Sequence, residues 1–366
     1  MAIARESTPG RERATPTRPS VTAGIGTGAD EAVGAAGAGR FWYWVHRLAA
    51  EGASRLGPRQ SEPIGHFVGG LFHRFSPDRR AVHARHLQRA VSRPLGRREL
   101  EVMLAQGFRN YGRYWVEVLG AAGMSPEFVR SSFHVENIEL VEEAIEQGTG
   151  AVVALAHLGN WDLAGAWCAS KGWKAVSVAE VVEPPELFEF FCDVRRRMGI
   201  TIYPLDGTSS AARSLLRDLK NNALVCLLAD RDISGDGVEV EFFGERTTVP
   251  AGPAALALRS GAPLIATGVY QRPRGRYEGE LRLVARPEGG LRGGPAIQAL
   301  TQNCIRELEA MIRKSPLDWH LYQPNWPSDF ISLGHKRGAW EAEPTRPAPP
   351  RVKPEPEPTV ERRAPH

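Results

Sequence analysis

The chain has 366 residues, of which 42% are hydrophobic. That is enough for one large α/β domain or two ordinary ones around a substantial core, and it excludes a chain disordered throughout. The net charge is only +4; so mild an excess does not argue for nucleic acid, and it suits docking to an anionic membrane. Cys168, Cys192, Cys226 and Cys304 form no C-x-x-C pair and match no zinc spacing, so they read as reduced thiols of a cytosolic protein with no metal site.

Taken in chain order, residues 1–38 carry few large apolar groups and lack the apolar core of a signal peptide, and 336–366 are rich in Pro, Glu and Arg. Both read as disordered tails, because they cannot bury enough apolar surface to offset their ordering entropy. Residues 39–335 read as a single domain. Within it, 39–75 is amphipathic: Phe41, Trp42, Trp44, Val45 and Leu48, then Phe67 to Phe72, are interleaved with Arg47, Arg55, Arg59 and Arg74. Such helices suit the bilayer interface, and equally a face packed on the core. The spacing predicts helices over 79–91 and 97–119, a strand at Phe133–Val135 and a helix over 138–147. Strands at 151–156, 175–179, 200–204, 223–229, 238–243, 263–270 and 281–285 then alternate with helices at 160–171, 185–198, 209–221, 252–260 and 296–314. This alternation implies one mixed sheet flanked by helices. The stretch closest to a membrane span, Ala251 to Tyr270, is broken by Arg259, Ser260 and Pro263, so no transmembrane helix is expected.

His157 directly follows the apolar run 151–156, where open α/β sheets bind their ligands. Asp162 lies in the first turn of the next helix, from which a carboxylate can reach back to the imidazole, fix its tautomer and favour the imidazolium. Gly159 permits the tight turn, and Asn160 is placed to cap the helix. A second strand end carries Asp230, Arg231 and Asp232, which read either as part of a site or as a structural ion pair. Thr247, Thr248, Pro250 and Gly252 lead toward a helix N-terminus that can hold a phosphate or a thioester oxygen, or is simply an ordinary capped helix. Arg195 is a candidate to bind a phosphate. No Gly-x-Ser-x-Gly elbow is present, which argues against a serine acyl-enzyme.

The ordered blocks Ala156 to Asp162, Leu228 to Asp232 and Val238 to Ala254, with Tyr111 to Trp115 and Asp318 to Trp326 at either end, resemble the bacterial acyltransferases related to lipid A lauroyl/myristoyl acyltransferase. Within that family they look most like the actinobacterial branch acting on phosphatidylinositol mannosides. The resemblance covers roughly residues 40 to 330 and implies a glycerophospholipid-acyltransferase-like fold. It implies His157 as general base and Asp162 as its partner. It brings in Asp230 as a further member of the relay, at a position where the mannoside branch carries Glu. Glu180 aligns with an acidic residue near the family's site. The implied reaction is direct transfer from acyl-CoA, a co-substrate rather than a cofactor, to a sugar hydroxyl of a membrane glycolipid, most readily a mannose. Arg231 and backbone N–H groups would stabilise the oxyanion. The implied setting is peripheral, on the cytoplasmic face of the plasma membrane. A lipid A-type acceptor, a hydrolase, and a non-catalytic membrane-docking protein of the same fold remain alternatives.

Overall fold

The structure is a computed structural model and describes residues 43–332, except 183, 206–208 and 234; both expected tails, and Phe41 and Trp42, lie outside the described residues. A helix over 43–54 (α1) precedes α2 (Pro58–Phe75), α3 (Pro77–Val91), α4 (Arg97–Gly120) and α5 (Pro126–Ser132). The alternating region follows as β1 (Phe133–Glu136), α6 (Glu139–Glu146), β2 (Ala151–Leu155), α7 (Trp161–Ser170), β3 (Ala175–Glu180), α8 (Pro185–Arg197), β4 (Ile200–Leu205), α9 (Ser210–Lys220) and β5 (Leu224–Leu228). It closes with β6 (Val238–Phe242), β7 (Glu245–Val249), α10 (Gly252–Ser260), β8 (Leu264–Arg272), β9 (Arg276–Leu283), α11 (Gly293–Lys314) and α12 (Pro327–Ser332).

Seven strands form one mixed sheet in the order β1-β9-β8-β2-β5-β3-β4. The apolar run of β2 is buried at every position, as expected of a strand covered on both faces. Val152 and Ala154 face a core shared with Leu215, Leu219, Leu256, Leu308 and Met311 of α9, α10 and α11. Val153 and Leu155 face the opposite core, with Val141 and Ala144 of α6. β2 runs parallel to both neighbours, with Leu155 level with Leu228 of β5 and with Thr267 of β8. Only β9 and its parallel partner β1 run against the rest.

Two departures from the sequence reading have a common cause. The strand expected at 281–285 begins at Arg276, and its charged residues disguise it. Glu280 is buried because it accepts from Tyr270 Oη at 2.7 Å and from Lys314 Nζ at 3.1 Å, and Arg272 meets Glu278 at 2.6 Å. Likewise Thr247 and Thr248 are not a loop before a helix but the centre of β7, which forms an antiparallel hairpin with β6. In both strands polar side chains paired across the structure mask the apolar pattern that strand recognition needs.

Candidate active site

β2 and β5 are adjacent, parallel and in register, so residues two beyond their last pair, Leu155 and Leu228, emerge side by side. Those residues are His157 and Asp230. His157 Nδ1 lies 2.7 Å from Asp230 Oδ1, and the His157 backbone N–H donates to Asp230 Oδ2 at 3.0 Å. The Trp319 indole N–H donates to the same Oδ2 at 2.9 Å, and Asn325 Nδ2 donates to the Asp230 carbonyl at 2.9 Å. The Asp230 side chain is 0% exposed and that of His157 18%, so the carboxylate is sealed while the imidazole reaches the surface. Burial by itself would raise the Asp230 carboxyl, but the His157 imidazole and these N–H donors outweigh it and hold the group below its ordinary value.

The expectation that Asp162 reaches back to His157 is replaced by a different pairing. Asp162 Oδ1 and Oδ2 accept from Arg195 Nε and Nη2 at 2.7 and 3.0 Å, and Tyr114 Oη donates to Oδ2 at 2.8 Å. From the first turn of α7, Asp162 is directed to α4 and α8, which carry these two partners, so both oxygens are used. Arg195 is thereby committed to Asp162 through two of its nitrogens, where the sequence pointed to a phosphate. Asp230 takes the place at Nδ1, and although shorter than Glu it makes the contact directly.

The turn between His157 and α7 is built as its residues suggest. Gly159 has φ +66°, in the left-handed region, and a Cβ there would run into the Val269 carbonyl. Asn160 caps α7, its side-chain oxygen accepting from Leu163 N at 3.0 Å, while its Nδ2 donates to Glu117 Oε2 at 3.0 Å. Glu117 is in turn held by Arg113 Nε at 2.6 Å, one buried residue gripping another. The Trp161 ring stands edge-on to His157 at 5.3 Å and stacks on Tyr114 at 4.3 Å.

Beyond Trp161, between the sheet and α6 and α7, lies an apolar cavity of about 60 Å³ whose lining includes Leu155, Ala164, Cys168, Trp173, Cys226 and Val269. Burial pushes the Cys168 thiol up to about 12 and the Cys226 thiol above the ordinary range, so both behave as small apolar groups.

The remaining candidates are dispersed. Glu180 ends β3, the strand beyond β5, at the same sheet edge. Arg231 follows Asp230 and is half-buried, Thr248 lies half-buried in β7 opposite Glu239, and exposed Gly252 opens α10. Residue-type reasoning assigned no role to Trp319, Asn325 or Tyr114. Their blocks stood out in the sequence, but an indole, an amide and a phenol announce no chemistry until they are seen to bond a carboxylate. His320 is buried among Tyr111, Tyr114 and Trp161, and its backbone N–H donates to the His157 carbonyl at 2.6 Å.

A histidine oriented by a sealed carboxylate thus stands at the carboxyl edge of the sheet, with Trp161 between it and a small apolar cavity. Residues 38–328 match the family model of the bacterial lipid A biosynthesis acyltransferases; the chain belongs to that family and is a lipid acyltransferase. It is 34% identical over 238 residues to a phosphatidylinositol mannoside acyltransferase of Mycobacterium tuberculosis, covering 62% of this chain and 71% of the relative. It is also 34% identical over 251 residues to a phosphatidylinositol mannoside acyltransferase of Mycolicibacterium smegmatis, covering 67% of this chain and 80% of the relative.

Proposed function

We propose that the protein moves a fatty acyl chain from acyl-CoA to a mannose hydroxyl of a phosphatidylinositol mannoside. The observation that carries this reading is the 2.7 Å contact between His157 Nδ1 and buried Asp230. A proton held on Nδ1 by the carboxylate leaves Nε2 as the basic nitrogen. Nε2 removes the proton of the acceptor hydroxyl as its oxygen attacks the thioester carbonyl. The tetrahedral oxyanion collapses, the C–S bond breaks, and the imidazolium returns its proton to the departing thiolate. Backbone N–H groups at the site and Arg231, next to Asp230, are the proposed oxyanion donors. Asp162 acts by locking Arg195 and Tyr114 around the start of α7, with Glu180, Thr248 and Gly252 assigned to the substrate-facing rim. No cofactor takes part in these steps.

Leu48, Phe67 and Phe75 are 69%, 67% and 74% exposed on α1 and α2, which also carry Arg47 and Arg74, with Arg55 in the turn between them. That combination supports docking of these helices into an anionic membrane surface, on the cytoplasmic side in this reading. Among the described residues no helix is long and apolar enough to cross a membrane. The mannoside acceptor is carried over from the names of the relatives.

The test is mass spectrometry of phosphatidylinositol mannosides incubated with the protein and palmitoyl-CoA, in parallel with lipid A precursors. Acylation of the mannosides, lost in a folded His157→Ala variant, is expected. Transfer retained by that variant, or acylation confined to lipid A precursors, overturns the reading.

A further inference from the structure

Trp319 is fully buried, and a buried indole among Phe242, Phe243 and Trp326 reads at first as core. Its N–H, however, is spent on Asp230. We propose that Trp319 is a positioning residue that aims the Asp230 carboxylate at His157; this rests on the reading of His157 as the general base.

Asp230 Oδ2 accepts twice, from Trp319 Nε1 at 2.9 Å and from the His157 amide at 3.0 Å. Rotation of the carboxylate would break both bonds, so Oδ1 is left facing Nδ1 at 2.7 Å. The imidazole then keeps its proton on Nδ1 and presents Nε2 outward. Without the indole donor a single bond restrains Oδ2, and the carboxylate can turn away from the ring.

Trp319 is itself held to the loop it serves. Leu158 and Trp319 form an antiparallel bridge. On either side of it the Gly159 N–H donates to the Asp318 carbonyl at 2.8 Å and the His320 N–H to the His157 carbonyl at 2.6 Å. The same segment continues to Asn325, which donates to the Asp230 carbonyl at 2.9 Å. Beyond it, Asp329 Oδ2 accepts from the amides of Asn325 and Trp326 at 3.2 Å and anchors the segment to Arg85 and Arg89. One stretch of chain thus grips both members of the dyad and sets the distance between them.

The test replaces Trp319 with 3-benzothienylalanine, which keeps the two-ring shape and puts sulfur where the N–H was, alongside Trp319→Phe. Both are assayed with palmitoyl-CoA and phosphatidylinositol mannosides, and the His157 ring is followed by ¹⁵N NMR. The benzothienyl variant is expected to lose kcat by about ten-fold, the scale of one charge-assisted hydrogen bond, with KM for palmitoyl-CoA within about two-fold. The acid limb of kcat/KM should move to lower pH, because a carboxylate turned away from the ring favours the imidazolium less. The NMR spectrum should show a mixture of ring tautomers in place of one. An unchanged kcat, pH profile and tautomer in the folded isostere overturn the proposal, since a merely structural indole would move none of them. The NMR measurement needs no substrate. If the wild-type protein transfers no acyl chain, the functional reading fails while the tautomer still decides the role of Trp319.

Discussion

His157 Nδ1 and Asp230 Oδ1 meet at 2.7 Å although 73 residues separate them in the chain, while Asp162, five residues from His157, bonds Arg195 and Tyr114 instead. The two carboxylates therefore have separable roles. Asp230→Asn keeps the shape but removes the charge that favours the imidazolium. It should lower kcat by about a thousand-fold, within the range for losing the carboxylate of a histidine pair. Asp162→Ala leaves Arg195 without its carboxylate partner in a mostly buried site. It should cost about 3 kcal/mol of stability with a much smaller loss of kcat per folded molecule. Thermal melts and single-turnover rates on both variants distinguish these outcomes. A larger rate defect in folded Asp162→Ala than in Asp230→Asn would reverse the assignment.

Acid should weaken the fold through two histidines remote from the protein surface. Burial pushes His83 down to about 3 from its ordinary 6.5, and holds His320 well below that value. Each is neutral when folded and takes up a proton at ordinary pH only on unfolding. Their contribution is complete above about pH 6.5 and declines as pH falls from 6.5 toward 3, at about 1.4 kcal/mol per pH unit for each histidine. Urea midpoints between pH 7 and 5 should fall accordingly, and His83→Leu should flatten the slope. An identical slope in that variant would place the acid sensitivity elsewhere.

The crossing of α2 over α4 depends on the absence of side chains. A Cβ on Gly112 would strike the Gly65 carbonyl and the Gly69 backbone, and one on Gly69 would strike the Phe108 carbonyl. Gly112→Ala should therefore force the helices apart, at a cost of about 2 kcal/mol and several degrees in Tm. Gly70→Ala, where a Cβ meets nothing within 4 Å, should be neutral or slightly stabilising. Equal melting temperatures for the two variants would show that the crossing adjusts freely.

Membrane docking can be separated from chemistry on the exposed face of α2. Phe67→Asp with Phe75→Asp should reduce binding to anionic vesicles by about ten-fold or more, as expected when two large apolar groups are withheld from the interface. Melting temperature should be unchanged, since both side chains are largely exposed. Flotation with phosphatidylglycerol-containing vesicles measures this, and undiminished flotation would remove α2 from the docking surface.

Much of the architecture was legible because local signals agreed with it. The run 151–156, the helices after it and the Asn160 cap follow from apolar periodicity and capping chemistry, which operate within a few residues. The same is true of His157 at a strand end. β7 and the first half of β9 were not legible, because Thr247, Glu278 and Glu280 are polar residues whose bonds to Asn325, Arg272 and Tyr270 leave no apolar alternation to read.

The choice of carboxylate could not be made locally. Asp162 is near His157 in sequence and Asp230 is not, and both are acidic. Strand order and register decide between them: β2 lies beside β5 with Leu155 level with Leu228, so the next two residues of each strand deliver imidazole and carboxylate to one point. The sequence by itself determined that a histidine would stand at the carboxyl end of a buried strand. Only the tertiary structure decided which acid holds it and that Trp319 and Asn325 hold that acid, because hydrogen bonds between distant segments depend on positions that no local pattern encodes.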